Sequence, residues 1–136
     1  MQINPYLNYN GNCETAFRFY AEALNGTVEM MLPYAGTPAE VAVPADSRNL
    51  IVHARLKVGN TVLLGCDAPG EHYKVPQGFS VSLEVSTAEE AEGAFQALST
   101  GGKVRMPMEK TFFATRFGMV LDQFGIPWMV NCPPAA

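Results

Sequence analysis

The chain has 136 residues, of which 48% are hydrophobic and 16% charged, a balance that predicts a folded globular domain and excludes a disordered segment. Its net charge of −4 comes with scattered Lys and Arg. The sequence therefore offers no basic footprint for nucleic acid and no basic amphipathic helix for a membrane surface. No apolar run approaches the ~20 residues that a membrane span requires.

The N-terminus and the cysteines both predict a cytoplasmic protein. The first residues lack the charged start and the apolar core of a signal peptide. Cys13, Cys66 and Cys132 are odd in number and widely spaced, so we expect free thiols in a reducing compartment. A thiolate nucleophile at Cys66 is the minor alternative.

In chain order, the first half of the sequence predicts a strand, a helix and three further strands. Residues 3–9 predict a strand, and Pro5 favours an edge position for it. Asn12 is a candidate N-cap for a helix over residues 13–24, in which apolar side chains recur at helical spacing. The remaining strands are expected at 27–32, 50–58 and 61–66, the last two joined by a turn at Gly59-Asn60.

A stretch with three prolines, residues 33–49, separates the second strand from the third. A loop of this length in a compact domain is usually functional or mobile. Two interpretations stay open. The loop is either a surface excursion, or a segment that covers a pocket or contacts a partner subunit.

The second half predicts the same order of elements after a linker at residues 68–77. Apolar and polar residues alternate over 79–85, which is the clearest strand pattern in the chain. Ser86 and Glu89 fit a capping box at the start of a helix. Three strands are expected at 103–106, 113–121 and 126–131, with a polar turn at 122–125 joining the last two into a hairpin.

Similar strings precede the second strand of each half, which indicates an internal repeat. Ala23-Leu24 followed by Gly26-Thr-Val-Glu-Met30 resembles Ala97-Leu98 followed by Gly102-Lys-Val-Arg-Met106. We therefore predict an α+β fold of two βαβββ modules, residues 1–67 and 78–132, within a single domain over residues 1–136.

Two such modules, with Gly11-Asn12 before a helix that contains Phe19-Tyr20, resemble the vicinal-oxygen-chelate superfamily of glyoxalases, bleomycin-resistance proteins and extradiol dioxygenases. The string FGMVLDQFGIPWMVN at residues 117–131 and the opening Pro5-Tyr-Leu are similar to its PhnB-like branch. Phe113 departs from that branch, which commonly shows Trp there. The resemblance implies a cupped mixed sheet with helices outside, a cavity inside, and a homodimer.

The resemblance also indicates where a metal would bind in the metal-using relatives. The four ligand positions fall at Tyr6, about Leu64, Ser80 and Met129. A divalent ion in such a site needs imidazole nitrogen or carboxylate oxygen, which none of these side chains provides. We therefore expect no metal and no cofactor, and an ion held by unorthodox ligands such as His53 with Glu84 is the alternative.

Members of this branch often carry a demethylubiquinone methyltransferase label. The sequence shows no glycine-rich strand-to-helix turn for adenosylmethionine and leaves no room for the α/β domain that usually holds it. We therefore do not expect methyl transfer.

Strand alternation assigns side chains to the two faces of each sheet. The turn at Gly59-Asn60 predicts the pairs Arg55 with Leu64 and His53 with Cys66, and cross-strand partners share a face. A four-residue turn at 122–125 predicts the pairs Gly118 with Met129 and Arg116 with Asn131, and places Trp128 with Phe117 and Met119 under the helix. With Leu64 on the cavity face, as the resemblance implies, the predicted cavity is lined by Tyr6, Asn8, His53, Arg55, Ser80, Ser82, Glu84, Arg116, Met129 and Asn131.

Some of these residues have side chains suited to chemistry on a bound molecule. His53 is the best general-base candidate, with Glu84 and Tyr6 as further proton carriers, although a structural histidine is the commoner case. Arg116 beside Asn131 suits an anionic group, or else pairs with an acid for structure. Phe113 is placed to close over an aromatic ligand, or else packs in the core.

The sequence predicts a protein that binds a small organic ligand in a metal-free cavity, since apolar walls with a few convergent polar groups are typical of such sites. A metal-dependent lyase or dioxygenase is the first alternative. A sequestering protein that protects by binding, as antibiotic-resistance relatives do, is the second.

Overall fold

The computed structural model describes residues 1–135, which form two compact units. The first unit ends at Lys74 and the second begins at Val75, so the boundary lies within the predicted linker at 68–77. That the two units make one domain stays a prediction.

The first unit is a four-stranded mixed sheet with one helix. Its strands lie in the order β1-β4-β3-β2, with β1 parallel to β4 and the other neighbours antiparallel. Short 3-10 helices at Pro38–Ala42 and Ala45–Ser47 occupy part of the stretch predicted as a loop. The main elements are β1 (Tyr6–Tyr9), α1 (Cys13–Ala23), β2 (Thr27–Pro33), β3 (Ile51–Val58) and β4 (Thr61–Asp67).

The second unit repeats this order, with its strands arranged β5-β8-β7-β6 and β5 parallel to β8. A 3-10 helix at Gly70–His72 lies in the linker region before it. The bounds of β5, β6, β7 and β8 all differ from the prediction at one end or both. The main elements are β5 (Val81–Glu84), α2 (Ala88–Ser99), β6 (Lys103–Glu109), β7 (Arg116–Leu121) and β8 (Pro127–Cys132).

In each unit the helix covers one face of the sheet, and a glycine in a central strand permits the close approach. A Cβ added to Gly65 of β4 would lie 2.8 Å from the Phe17 ring of α1. A Cβ added to Gly118 of β7 would lie 2.7 Å from the Phe95 ring of α2. We call the opposite side of each sheet its helix-free face.

The strand registers of the two units correspond position by position. In the first unit Leu7 and Ala54 both pair with Gly65, and in the second Leu83 and Gly118 both pair with Val130. The same correspondence matches Tyr6 and Leu64 with Ser82 and Met129. The predicted α+β fold of two βαβββ modules is therefore confirmed.

One of the two predicted hairpin registers is wrong. Arg55 pairs with Leu64 as predicted. In the last hairpin, however, Arg116 pairs with Cys132 and Gly118 with Val130, because the connection has five residues rather than four. Phe117 and Met119 therefore face away from α2, whereas Trp128 remains on the helix side as core.

The extra residue in that connection is held by a buried carboxylate. Asp122, which is 3% exposed, accepts hydrogen bonds from the backbone N–H groups of Phe124 and Ile126, each at 2.9 Å. Its other oxygen accepts the indole N–H of Trp128 at 2.9 Å. The side chain thus closes the loop and satisfies the polar atom of the only tryptophan in the sequence.

A second buried carboxylate, Asp67, accepts backbone hydrogen bonds at the start of α1. Its Oδ1 accepts hydrogen bonds from the backbone N–H groups of Gly11 and Cys13, and its Oδ2 accepts that of Ile51. The predicted N-cap, Asn12, makes no side-chain capping bond within the described residues. The second helix is capped by Thr87, one residue later than predicted.

The helices of the described chain are short, and none is long and apolar enough to cross a membrane. Cys13, Cys66 and Cys132 are free thiols, as predicted.

Candidate functional site

The helix-free face of the first sheet collects four of the residues that the sequence predicts for a ligand site. Tyr6 and Asn8 project from β1, next to Leu64 and Cys66 of β4. The pairing of Arg55 with Leu64 places Arg55 on the same face, and His53, two residues away in β3, joins it. Tyr6, Asn8, His53 and Arg55 are therefore neighbours, as predicted.

Hydrogen bonds connect the polar side chains on this face. The Tyr6 hydroxyl lies 3.4 Å from Nδ1 of His53, and the two ring centroids are 5.9 Å apart. The Cys66 thiol donates to Oδ1 of Asn8 at 3.3 Å and also hydrogen-bonds Tyr6. We call Tyr6, Asn8, His53 and Cys66 the first-sheet cluster.

In the first-sheet cluster, the pKa values of the Tyr6 hydroxyl and the Cys66 thiol are both raised, so these groups stay protonated rather than becoming anions. Burial, together with the hydrogen bond to Cys66, raises the pKa of Tyr6 well above its usual value of 10.0. Burial also raises the pKa of Cys66, although the Tyr6 hydroxyl partly opposes that shift. Near neutral pH both groups keep their protons, so Tyr6 is available as a hydrogen-bond donor and Cys66 is a thiol rather than a nucleophilic thiolate.

The first-sheet cluster is bordered by apolar side chains of β2 and by an ion pair between Arg55 and Glu29. Met30 and Leu32 of β2 pair with Arg55 and His53 and are 43% and 42% exposed. The Arg55 guanidinium forms an ion pair with Glu29, with Nε 3.0 Å from Oε1. Glu29 therefore offsets part of the charge of Arg55 through Nε, and the exposed Lys57 lies two residues further along the same face of β3, so this face offers hydrogen bonds and apolar contact beside positive charge.

The other predicted site residues belong to the second sheet. Ser82 and Glu84 of β5 pair with Met129 and Asn131 of β8, so these four share the helix-free face. Ser80 immediately precedes β5. The Phe113 ring packs edge-on against Phe117, with centroids 5.1 Å apart.

Arg116 lies on the opposite side, which corrects the predicted position. It pairs with Cys132 rather than Asn131, and its Nε forms an ion pair with Glu92 of α2 at 3.1 Å. The open alternative, in which Arg116 pairs with an acid for structure, matches this contact. Asn131 instead has Glu84 and Phe117 as its neighbours across the strands.

The ligand positions implied by the metal-using relatives do not fit a divalent ion. Tyr6 and Leu64 are direct neighbours, and by the same register the residue beside Met129 is Ser82 rather than Ser80. A protonated phenol, a hydrocarbon, a hydroxyl and a thioether give no imidazole or carboxylate ligand. Over residues 1–135, no three His, Cys, Asp or Glu side chains are grouped to hold a metal.

A sequence profile of a family described as 3-demethylubiquinone-9 3-methyltransferase matches residues 1–131, nearly the whole chain. The chain belongs to this PhnB-like family. The predicted resemblance is thereby confirmed.

Individual relatives are similar to this chain over nearly the full length of both proteins. A crystal structure of protein PA1353 from Pseudomonas aeruginosa is 47% identical, covers 98% of both chains and superposes with a TM-score of 0.86. Protein YjdN from Escherichia coli is 29% identical over 96% of this chain and 95% of its own. A putative 3-demethylubiquinone-9 3-methyltransferase, PhnB protein, from Bacillus cereus is 19% identical, covers 97% and 99% of the two chains and has a TM-score of 0.80.

More distant structures show the fold alone. A glyoxylase/bleomycin resistance protein/dioxygenase domain from Frankia is 14% identical, covers 98% of both chains and has a TM-score of 0.67. The fold of this chain is therefore the glyoxalase/bleomycin-resistance fold.

The methyltransferase description of the family implies adenosylmethionine, and the residues of this chain do not fit that cofactor. Each sheet contains one parallel strand pair rather than a doubly wound parallel sheet. The two strand-to-helix turns, at residues 10–12 and 85–87, contain one glycine between them. Neither turn is the glycine-rich loop that lets a backbone approach a nucleotide.

Proposed function

We propose that this protein binds a small organic molecule on the helix-free face of its first sheet. The observation that carries the proposal is the first-sheet cluster, in which four polar side chains from three strands meet beside the exposed Met30 and Leu32. A few convergent polar groups within an apolar surround are the usual composition of a small-molecule site.

The chemistry of the first-sheet cluster favours an uncharged ligand with a hydrogen-bond acceptor, such as a carbonyl or an ether oxygen. Tyr6 keeps its proton and can donate it, and the Asn8 amide can donate or accept. Arg55 is paired through Nε with Glu29, which reduces the positive charge that it offers to a carboxylate or phosphate.

Binding without turnover and catalysis are both compatible with this site. For catalysis, we propose that His53 exchanges a proton with the ligand, because imidazole is the side chain suited to proton transfer near neutral pH. Tyr6 would orient the reacting oxygen. Relatives named for glyoxylase and for resistance functions are consistent with either outcome.

A thermal-shift screen of metabolites, with hits confirmed by calorimetry, tests the proposal. A ligand at 100 times its Kd should raise the melting temperature by roughly 8 °C in a domain of this size. We expect Tyr6→Phe and His53→Gln to reduce the shift. The matched controls are Tyr73→Phe and His72→Gln, since His72 ends the 3-10 helix at Gly70–His72 and Tyr73 follows it. Equal shifts in all four variants would overturn the proposal.

Assembly and location remain proposals that rest on the family resemblance and on the free thiols. We propose a homodimer in the cytoplasm. Light scattering after size exclusion should give a mass of twice the 14.8 kDa chain. A monomer at micromolar concentration would contradict the dimer.

A further inference from the structure

We propose that Asn25 is a self-modification site, at which the folded protein loses the side-chain amide and acquires aspartate or isoaspartate. This inference goes beyond the function proposed above and does not depend on it, because it concerns the turn between α1 and β2 and needs only water as a reactant. Its basis is that the sequence contains two Asn-Gly steps, Asn10-Gly11 and Asn25-Gly26, whose reacting nitrogens are held in different ways.

The reaction begins at the backbone nitrogen of the glycine that follows the asparagine. That nitrogen gives its proton to hydroxide and attacks Cγ of the asparagine, so that a cyclic imide forms. The Cγ–Nδ2 bond breaks, and the leaving nitrogen takes a proton from water and departs as ammonia. Water then opens the imide at Cγ, which gives aspartate, or at the backbone carbonyl carbon, which gives isoaspartate. Glycine favours ring closure because it has no side chain to obstruct it.

At Asn10 the reacting nitrogen is held by a buried charge. The Gly11 N–H donates to Oδ1 of Asp67 at 3.0 Å, and Asp67 is 1% exposed. The same carboxylate accepts the N–H groups of Cys13 and Ile51, so this bond belongs to a network that joins two elements. Loss of the proton would place an amide anion beside a buried carboxylate, and like charges repel strongly where water is scarce. The fold therefore protects Asn10.

At Asn25 the reacting nitrogen is held only by the end of a helix. The Gly26 N–H donates to the backbone carbonyl of Ala21 at 2.8 Å, a bond that closes the last turn of α1. The exposed Asn25 has a φ of 53°, the left-handed conformation that this helix ending uses. Helix ends open locally at low cost, and a carbonyl there carries only a partial negative charge. The Gly26 nitrogen is therefore freed more often than that of Gly11 and loses its proton more easily.

The internal repeat shows that the fold does not require asparagine at this position. The two similar strings align Asn25 with Gly101, which also has a positive φ, of 72°. The next residue is glycine in both units, because a Cβ on Gly26 or Gly102 would collide with a backbone carbonyl of the neighbouring strand. The residue before it can be glycine or asparagine. The first unit therefore carries a reactive Asn-Gly step where the second unit carries an inert Gly-Gly step.

Conversion of Asn25 should destabilise the end of α1. The new carboxylate would lie at the C-terminus of the helix, where the dipole disfavours negative charge, and the last turn of α1 has no basic residue to offset it. Isoaspartate also adds one carbon to the backbone between α1 and β2, which displaces the Gly26 N–H from the carbonyl of Ala21. The modified protein should therefore melt at a lower temperature than the native protein.

The test is to age the native protein in mildly alkaline buffer below its melting temperature and to map tryptic peptides by mass spectrometry. Cleavage after Arg18 places Asn10 and Asn25 on separate peptides. Asn25 is the only asparagine between that cleavage site and the next, at Arg48. We expect Asn25 to deamidate at least about tenfold faster than Asn10. In the control, the chain unfolded in urea, the two sites should react at similar rates.

Two variants test the roles of the buried charge and of the helix end. Asp67→Asn removes the charge beside Gly11, so it should speed the deamidation of Asn10 and leave that of Asn25 unchanged. Asn25→Gly reproduces the step found in the second unit. It should keep its melting temperature during ageing, whereas that of the native protein falls.

Three results would each overturn the proposal: equal rates at the two sites of the folded protein, an Asn25 that stays intact while the unfolded chain reacts, and an unchanged melting temperature after conversion. Should Asp67→Asn fail to fold, the comparison of the two sites in the native protein still decides the proposal, because it needs no variant.

Discussion

Two buried aspartates show how single residues stabilise this fold. Asp67 is 1% exposed and Asp122 is 3% exposed, and each carboxylate accepts three N–H hydrogen bonds. The sequence predicted Asp122 as part of a turn and assigned no role to Asp67. The helix start that Asp67 caps lies more than 50 residues earlier in the chain, so no local pattern could reveal it.

Replacing Asp67 with Ala should destabilise the protein strongly. Three backbone N–H groups, at Gly11, Cys13 and Ile51, would lose their acceptor, and we expect a loss of about 3 kcal/mol or more in the free energy of unfolding. Urea denaturation measures it. Asp46→Ala, at an exposed carboxylate, is the control and should change stability by less than about 0.5 kcal/mol. Similar values for the two variants would disprove the capping role.

Cys13 should make the fold sensitive to alkaline pH. Burial and the nearby Asp67 raise the pKa of its thiol above the ordinary 9.0. Below pH 9.0 the thiol is protonated in both folded and unfolded chains and its contribution is fully present. Above that value only the unfolded chain releases the proton, so the free energy of unfolding falls, by up to ~1.4 kcal/mol per pH unit.

The predicted loss of stability at alkaline pH can be tested by measuring melting temperatures between pH 7 and 10.5 for the native protein and for Cys13→Ala. The raised pKa values of Tyr6, Tyr34 and Cys66 act in the same direction and remain in both proteins. The variant should therefore lose stability less steeply above pH 9. Parallel curves would show that ionisation of Cys13 is not linked to unfolding.

At the scale of elements, both helices and all eight strands of the described chain were predicted, and the errors lie at ends and turns. The register of the first hairpin follows from its two-residue Gly59-Asn60 turn. The register of the second hairpin could not be predicted, because hydrogen bonds to the Asp122 side chain hold a loop of five residues rather than four. A one-residue error exchanges the faces of a strand. Arg116 therefore lies on the helix side of the sheet rather than in the predicted site.

The contact between α2 and β7 depends on the absence of a side chain at Gly118. A Cβ there would lie 2.7 Å from the Phe95 ring, and overpacking of this kind costs roughly 1–3 kcal/mol. We expect Gly118→Ala to lower stability by that amount and Phe95→Leu to recover part of it. A double-mutant cycle by denaturation measures the coupling, and simple additivity would exclude this contact as the cause.

Gly93 in α2 is the matched control for this substitution. A Cβ there meets nothing within 4 Å, and Ala is favoured over Gly inside a helix. Gly93→Ala should therefore stabilise the protein by roughly 0.5–1 kcal/mol. A destabilising Gly93→Ala would mean that the helix itself, rather than its contact with β7, resists the added methyl group.

At the scale of the whole molecule, the repeat was visible in the sequence because similar strings precede β2 and β6. Tyr6, Asn8 and His53 of the first-sheet cluster were predicted from strand alternation, the Gly59-Asn60 turn and the family resemblance, whereas Cys66 was not included in the predicted cavity. Its protonation could not be predicted, since the raised pKa of Tyr6 depends on burial and on a hydrogen bond to Cys66, about 60 residues away in sequence. The buried Oδ1 of Asn131, which has no hydrogen-bond partner within residues 1–135, likewise became visible only once the register of β8 was fixed.

Removal of metals should leave the protein unchanged. The positions that hold an ion in metal-using relatives carry Tyr6, Leu64, Ser82 and Met129 here, which include no imidazole and no carboxylate. We expect less than one ion per ten chains by elemental analysis, and the same melting temperature with and without EDTA. A stoichiometric ion, or a chelator-dependent drop in the melting temperature, would contradict this assignment.

The division of hydrogen bonding between the units has a consequence for proteolysis. Strands β1 to β4 pair only with one another, and so do β5 to β8. The exposed Lys74 stands at the junction, where trypsin can cleave. Cleavage after Lys74 would cut the polypeptide without breaking the hydrogen bonds between strands of either sheet. Residues 1–74 and 75–136 are therefore suitable fragments for a split version of the protein.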